Sequence, residues 1–153
     1  MIQVPEDPDY ATRTRESFAA QGAMAHLGAE LTEVGPGCCV IDLPFRPELT
    51  QQDGFFHGGV VTTIADTAAG YAALTLMPPG ARVLSVELKV NFLAPARGER
   101  LVATGRVERA GRTLSVVGAR VEAVEAGAAP TEVAVLLATM FCARERPPAG
   151  AAA

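Results

Sequence analysis

A chain of 153 residues with 49% apolar and 20% charged side chains has the length of one domain and a globular composition, which excludes disordered and fibrous classes. The formal net charge is −4 and no run of Lys or Arg occurs, so neither a nucleic-acid face nor a polybasic membrane patch is expected. Three cysteines, two of them adjacent at Cys38 and Cys39, and two histidines imply no disulfide framework and no metal-ligand constellation.

Met1 to Asp9 is acidic, holds Pro5 and Pro8, and lacks the apolar stretch of a secretory signal, so residues 1–9 are expected to be a loose leader. A reducing cytoplasm is the expected compartment. One domain should span 10–145, and 146–153, with Pro147, Pro148 and terminal alanines, should be a loose tail. Tyr10 to Leu27 reads as a short helix whose apolar contacts are Phe18, Met24 and Leu27. Leu31 to Phe45 reads as two strands around the turn Gly35-Pro36-Gly37.

From Gly58 to Met77 the only charged residue is Asp66. Its alanines favour helix, and Pro78-Pro79-Gly80 stops it. Apolar residues lie all round this helix, so it should be buried in a core. A membrane span is the rival reading, but Ala, Gly and Thr are poor membrane formers and a central Asp is costly in lipid.

The rest of the chain reads as strands. Val86, Leu88, Val90 and Phe92 alternate with Ser85, Glu87, Lys89 and Asn91, and Leu101, Ala103, Gly105 and Val107 alternate with Val102, Thr104, Arg106 and Glu108. The turn Ala110-Gly111 leads into Leu114 to Val121, Ala126 to Pro130 breaks the chain, and Val133 to Cys142 is a near-continuous apolar strand. The short connections suit an antiparallel meander. A sheet wrapped around one apolar helix satisfies the pattern, and the fold class is α+β.

Two residue types suggest chemistry. Gly58 and Gly59 open the helix, where unpaired backbone N–H groups and the positive end of the helix dipole suit a developing oxyanion. A glycine pair equally relieves crowding in a tight turn. Asp66 is a carboxylate inside an apolar helix, a position that is costly unless the group is paired, lines a cavity or is catalytic. Thr62, Thr63, Ala69 and Gly70 occupy the positions one turn away, so no cation on the helix pairs with it. Eight residues separate Gly58 from Asp66, about 12 Å along one helix, so both cannot touch one reacting carbon. Two antiparallel helices about a two-fold axis would bring Gly58 of one chain to Asp66 of another.

These residues resemble the hotdog-fold thioesterase superfamily, in particular its phenylacetate-degradation (PaaI-type) branch. The similarity lies in His57-Gly58-Gly59 followed by a helix with Asp66, in Ser85 to Phe92 running into Leu93-Ala94-Pro95-Ala96, and in Gly98-Glu99 with the later Gly111-Arg112-Thr113 turn. The resemblance implies a hotdog fold and hydrolysis of an acyl- or aryl-CoA thioester with no cofactor, by a homo-oligomer that is a dimer or a dimer of dimers. It implies Asp66 as general base or nucleophile and the Gly58 N–H as oxyanion donor. His57 would orient the loop, and Gln51 and Ser85 would place water or the carbonyl. Gly59, Phe56, Gly111, Arg112 and Thr113 are expected at the substrate and coenzyme A, with Arg112 meeting a phosphate and Arg97 and Arg109 as weaker candidates. Gln51 departs from the Asn more usual in that branch, and Phe55-Phe56 stands where smaller residues are common. A non-catalytic acyl-CoA-binding module and a hydratase are the other readings of the fold; the first would not need Asp66, and the second lacks its own His motif here.

Overall fold

In a computed structural model, which describes residues 4–144, the chain begins with two short helices, α1 (Tyr10–Ala19) and α2 (Gly22–Leu27). Strands β1 (Glu30–Gly35) and β2 (Cys38–Pro44) follow, then helix α3 (Gly58–Leu74) and strands β3 (Arg82–Phe92), β4 (Arg100–Arg109), β5 (Leu114–Val124) and β6 (Thr131–Ala143). The expected tail at 146–153 and the first three residues of the expected leader lie outside the described residues.

The strands form one antiparallel six-stranded sheet in the order β1-β2-β4-β5-β6-β3, and α3 touches β2, β3, β4, β5 and β6. This is the wrapped helix expected from the sequence. The core lies between them: Ile41, Leu43, Ile64, Leu101, Val117, Val121 and Met140 are all fully buried. Helix and sheet meet backbone to backbone at Gly105, where a Cβ would stand 2.3 Å from the Ala68 carbonyl oxygen. Only glycine allows that approach.

Three details differ from the sequence reading. The first helix is broken at Ala20-Gln21, where Gln21 is extended at φ −84°, ψ 104°. The break, at a Gly22 that is a poor helix former, turns α2 so that Met24 reaches 1% exposure in the core. Second, β4, β5 and β6 form the expected meander but β3 does not join it. Instead β3 pairs with β6 at the sheet edge, and the segment Leu93 to Glu99 carries the chain back to β4. That crossing is tied down by Leu93 N–H to Val133 O, Phe56 N–H to Ala96 O and Glu99 N–H to Val124 O, at 2.9, 2.9 and 2.8 Å.

Third, the alternation in β3 does not run unbroken. Ser85 pairs with Met140, but Glu87 pairs with Thr139, so Val86 is the extra residue of a bulge. Before the bulge Val83 and Ser85 lie across from buried Cys142 and Met140. Beyond it Leu88, Val90 and Phe92 lie across from buried Ala138, Leu136 and Ala134. Simple alternation puts Ser85 on the side opposite Leu88. The bulge reverses the phase and turns Ser85 toward α3.

Candidate active site

On α3 the residues Gly59, Thr62, Thr63 and Asp66 keep contact with solvent, at the spacing of one helix face. Thr62 and Thr63 donate their hydroxyls back to the carbonyls of Gly58 (2.8 Å) and Gly59 (2.7 Å), so Asp66 is the group on this face whose polarity the helix does not absorb. Its one hydrogen bond comes from across the structure: the Ser85 hydroxyl donates to Asp66 Oδ1 at 2.7 Å. No ion pair to Asp66 exists among the described residues.

Asp66 and Ser85 share a cleft of about 420 Å³ with Thr67, Gly70, Tyr71 and Leu74 of α3, with Arg13, Ser17, Ala20 and Gln21 from the N-terminal helices, and with Ala81 to Leu84 leading into β3. The Tyr71 ring meets Phe18 edge-on at 5.8 Å, and its hydroxyl lies 3.3 Å from Ser17 Oγ. Burial raises the Tyr71 phenol above its ordinary range, the Ser17 hydrogen bond opposing in part. At the end of the cleft Arg13 grips the C-terminus of α3. Its guanidinium donates to the carbonyls of Pro78 (2.6 Å), Leu74 (3.0 Å) and Met77 (2.9 Å), while Nε lies 3.0 Å from the buried carboxylate of Asp7. Leu74 is the last residue of α3, and Met77 and Pro78 follow in the turn beyond it, so the cation sits at the negative end of the helix dipole.

The other expected groups gather elsewhere. His57 is the N-cap of α3; its Nδ1 accepts the Gly59 N–H at 2.9 Å, which leaves the exposed Nε2 as the protonated nitrogen of the neutral ring. Since Gly59 N–H is thereby used, Gly58 is the glycine of the pair with a donor to spare: its N–H meets no acceptor among the described residues. Gly58 lines a second cleft of about 480 Å³ with Gln51, Phe55, Phe56, Val61 and Phe92. The Phe92 ring lies over it, 3.1 Å from where a Cβ would be. Phe56, at 3% exposure, packs edge-on against Phe45 at 5.5 Å and anchors this loop as much as it lines the cleft. Gln51 is engaged in its own turn, its carbonyl oxygen accepting the Asp53 N–H.

Within one chain, then, Asp66 with Ser85 and Gly58 with Gln51 open on different clefts. Gly111 and Arg112 lie in a third place, a cleft of about 240 Å³ past the C-terminus of α3, beside Glu6, Met77 and Arg144; Thr113 is exposed next to them. The Asp66 cleft also contains groups the sequence did not point to. Gly70 was open to notice as a glycine in an alanine-rich helix. Arg13, Ser17 and Gln21 carry no local signal, because only the packing of α1 on α3 brings them there. Among the described residues no cluster of His, Cys, Asp or Glu could hold a metal ion, and no helix is long and apolar enough to cross a membrane.

An antiparallel sheet wrapped on one buried helix that opens at His-Gly-Gly is the hotdog class of fold. The family model of the thioesterase superfamily matches residues 53–129, and the chain belongs to that superfamily as a thioester hydrolase. The crystal structure of a thioesterase family protein from Silicibacter pomeroyi is 44% identical, covering 89% of this chain and 99% of that one at a TM-score of 0.87. A Listeria monocytogenes 1,4-dihydroxy-2-naphthoyl-CoA hydrolase is 28% identical over 62% of this chain and 77% of its own. The Escherichia coli PaaI protein from the phenylacetic acid degradation operon has the same fold at a TM-score of 0.77, with 19% identity, 88% of this chain and 93% of that one being covered.

Proposed function

We propose that the chain hydrolyses acyl-CoA thioesters, with Asp66 as general base. The observation that carries this reading is a carboxylate set in an apolar helix, without a cationic partner among the described residues, opening on a cleft and held by one serine hydroxyl. Ser85 occupies Oδ1 and leaves Oδ2 for water. Asp66 takes a proton from that water as its oxygen adds to the thioester carbonyl, and the tetrahedral oxyanion is met by a backbone N–H at a helix start. Collapse breaks the C–S bond, the sulfur leaves as thiolate, and protonation gives free CoA and the acid. The coenzyme A carrier is supported by the Listeria relative's name, and our candidate for a phosphate contact is the Arg112 turn of a second copy, since within one chain that turn lies past the end of α3 that Arg13 closes. The protein's own groups suffice for this sequence of steps, and no cofactor is invoked.

In the same proposal the active form is a homodimer. Gly58 supplies the oxyanion donor to Asp66 of a second copy, because one chain holds the two groups in separate clefts. The open edge of β3 supports this, with Leu84, Val86 and Phe92 each more than half exposed, at 57%, 60% and 54%. Subunit complementation tests it. Asp66→Ala and Gly58→Pro are each made; proline fits the first helical position but removes the N–H. Refolded together, the two inactive variants should regain part of the wild-type rate, since a mixed dimer holds one intact composite site. No gain on mixing would mean that each site lies within one chain. Absence of thiol release by wild type from every acyl-CoA offered would overturn the hydrolase mechanism itself.

A further inference from the structure

Gly70 is the residue of α3 that the fold itself does not require. Glycine is among the poorest helix formers and alanine the best, and Ala68, Ala69, Ala72 and Ala73 surround it. Its φ is not positive. A Cβ there would meet only a Val83 methyl at 3.9 Å, an ordinary contact, whereas one at Gly105 would collide with the backbone of α3. Neither chain conformation nor close approach calls for glycine at this position. What the absent side chain leaves is room in the cleft that holds Asp66 and Ser85.

Gly70 and Leu74 lie four and eight residues after Asp66, on one helix face, so the cleft runs as a groove from the carboxylate toward the C-terminal end of α3. Ala20 and Gln21 form one wall, Ala81 and Val83 the other. Arg13 shuts the far end, its terminal nitrogens donating to three carbonyls and its Nε lying 3.0 Å from the Asp7 carboxylate. In the opposite direction from Asp66, the face of Gly59, Thr62 and Thr63 is part-exposed and more polar. The direction floored by Gly70, Tyr71 and Leu74 and ended by Arg13 suits an acyl chain; the open one suits the arm of its carrier.

We propose that the acyl group lies along the groove from Asp66 over Gly70 toward Leu74, and that Gly70 sets the size of acyl group admitted. The inference rests on the acyl-CoA hydrolase reading and deepens it. The test uses full-length wild type, Gly70→Ala and Gly70→Val, with kcat/KM measured for acetyl-, hexanoyl- and phenylacetyl-CoA and Tm measured alongside. Gly70→Ala should raise Tm by about 2–4 °C, because the helix gains a better former. At the same time its preference for acetyl- over phenylacetyl-CoA should rise by roughly tenfold or more, through KM, and Gly70→Val should extend the trend. A structural role moves Tm and all three substrates together; a size filter moves Tm up and the bulky substrates down. A preference within twofold of wild type, or a Tm that falls, overturns the proposal. If wild type hydrolyses none of the three, the hydrolase reading fails separately, and calorimetric binding of phenylacetate decides the groove: binding by wild type and its loss in Gly70→Val support it, equal binding by both overturns it.

Discussion

From Thr67 to Leu74 every residue of α3 is buried, whereas Gly59, Thr62, Thr63 and Asp66 in its first half keep contact with solvent. Both halves consist mainly of small and apolar residues, so polarity alone does not separate them. Their surroundings do. The second half lies between the sheet and α1, where Phe18 and Arg13 close over it. Over the first half neither N-terminal helix closes; Phe92 covers Gly58, and the outward face holds the one carboxylate of the helix. On the role proposed for Asp66, the contrast divides a single apolar helix between stability and chemistry, and changes in the two halves should separate the corresponding measurements.

The largest expected effect tests the first half. Asp66→Ala should lower kcat/KM by about 10³, within the range for loss of a general base, while Tm stays within a few degrees because the site is part-exposed. A matching loss of Tm would show that Asp66 belongs to the structural half after all. Gly105→Ala tests the second half: the new Cβ would press on the Ala68 carbonyl, and urea unfolding should show a loss of about 3 kcal/mol. The folded fraction of that variant should keep a normal kcat.

A third expectation concerns pH and Cys39, fully buried on β2. Burial, with a smaller contribution from Cys38, pushes its thiol from an ordinary 9.0 up to about 12. Above pH 9 the unfolded chain gives up this proton and the folded chain keeps it, so stability present below pH 9 is lost as pH climbs toward 12. Denaturant unfolding should show a decline approaching about 1.4 kcal/mol per pH unit, and Cys39→Ala should flatten it. The smallest effect separates positioning from chemistry within the site. Ser85→Ala should reduce kcat about tenfold, with part of the rate restored in Ser85→Thr, since one charge-assisted hydrogen bond orients the carboxylate.

Much of this was legible in the sequence. The run after His57 marked the helix, Pro78-Pro79-Gly80 marked its end, and the alternation of Leu101 to Val107 gave an inward face that the structure buries. The pairing of Ser85 with Asp66 was not legible as geometry, because a period-two reading has no means of registering the extra residue at Val86. The place of β3 was hidden as well: strand order depends on which edge accepts a strand, and β3 chose β6 over its neighbour in sequence. Arg13 stands 61 residues from Leu74, and no local pattern announces a contact of that range. The Gly111-Arg112-Thr113 turn could be located as a turn, yet its distance from the Asp66 cleft within one chain emerges only from the packing around α3.

The grip of Arg13 has a consequence for how such an enzyme can change over generations. It holds three main-chain carbonyls and so is indifferent to which side chains the end of α3 carries. The wall above the groove stays anchored while residues facing the groove, such as Gln21, vary. On the proposed acyl groove, substitutions at Gln21 can therefore change which substrates enter without loosening that wall, and a lineage carrying this clasp can drift in specificity while Asp66 and Ser85 stay still.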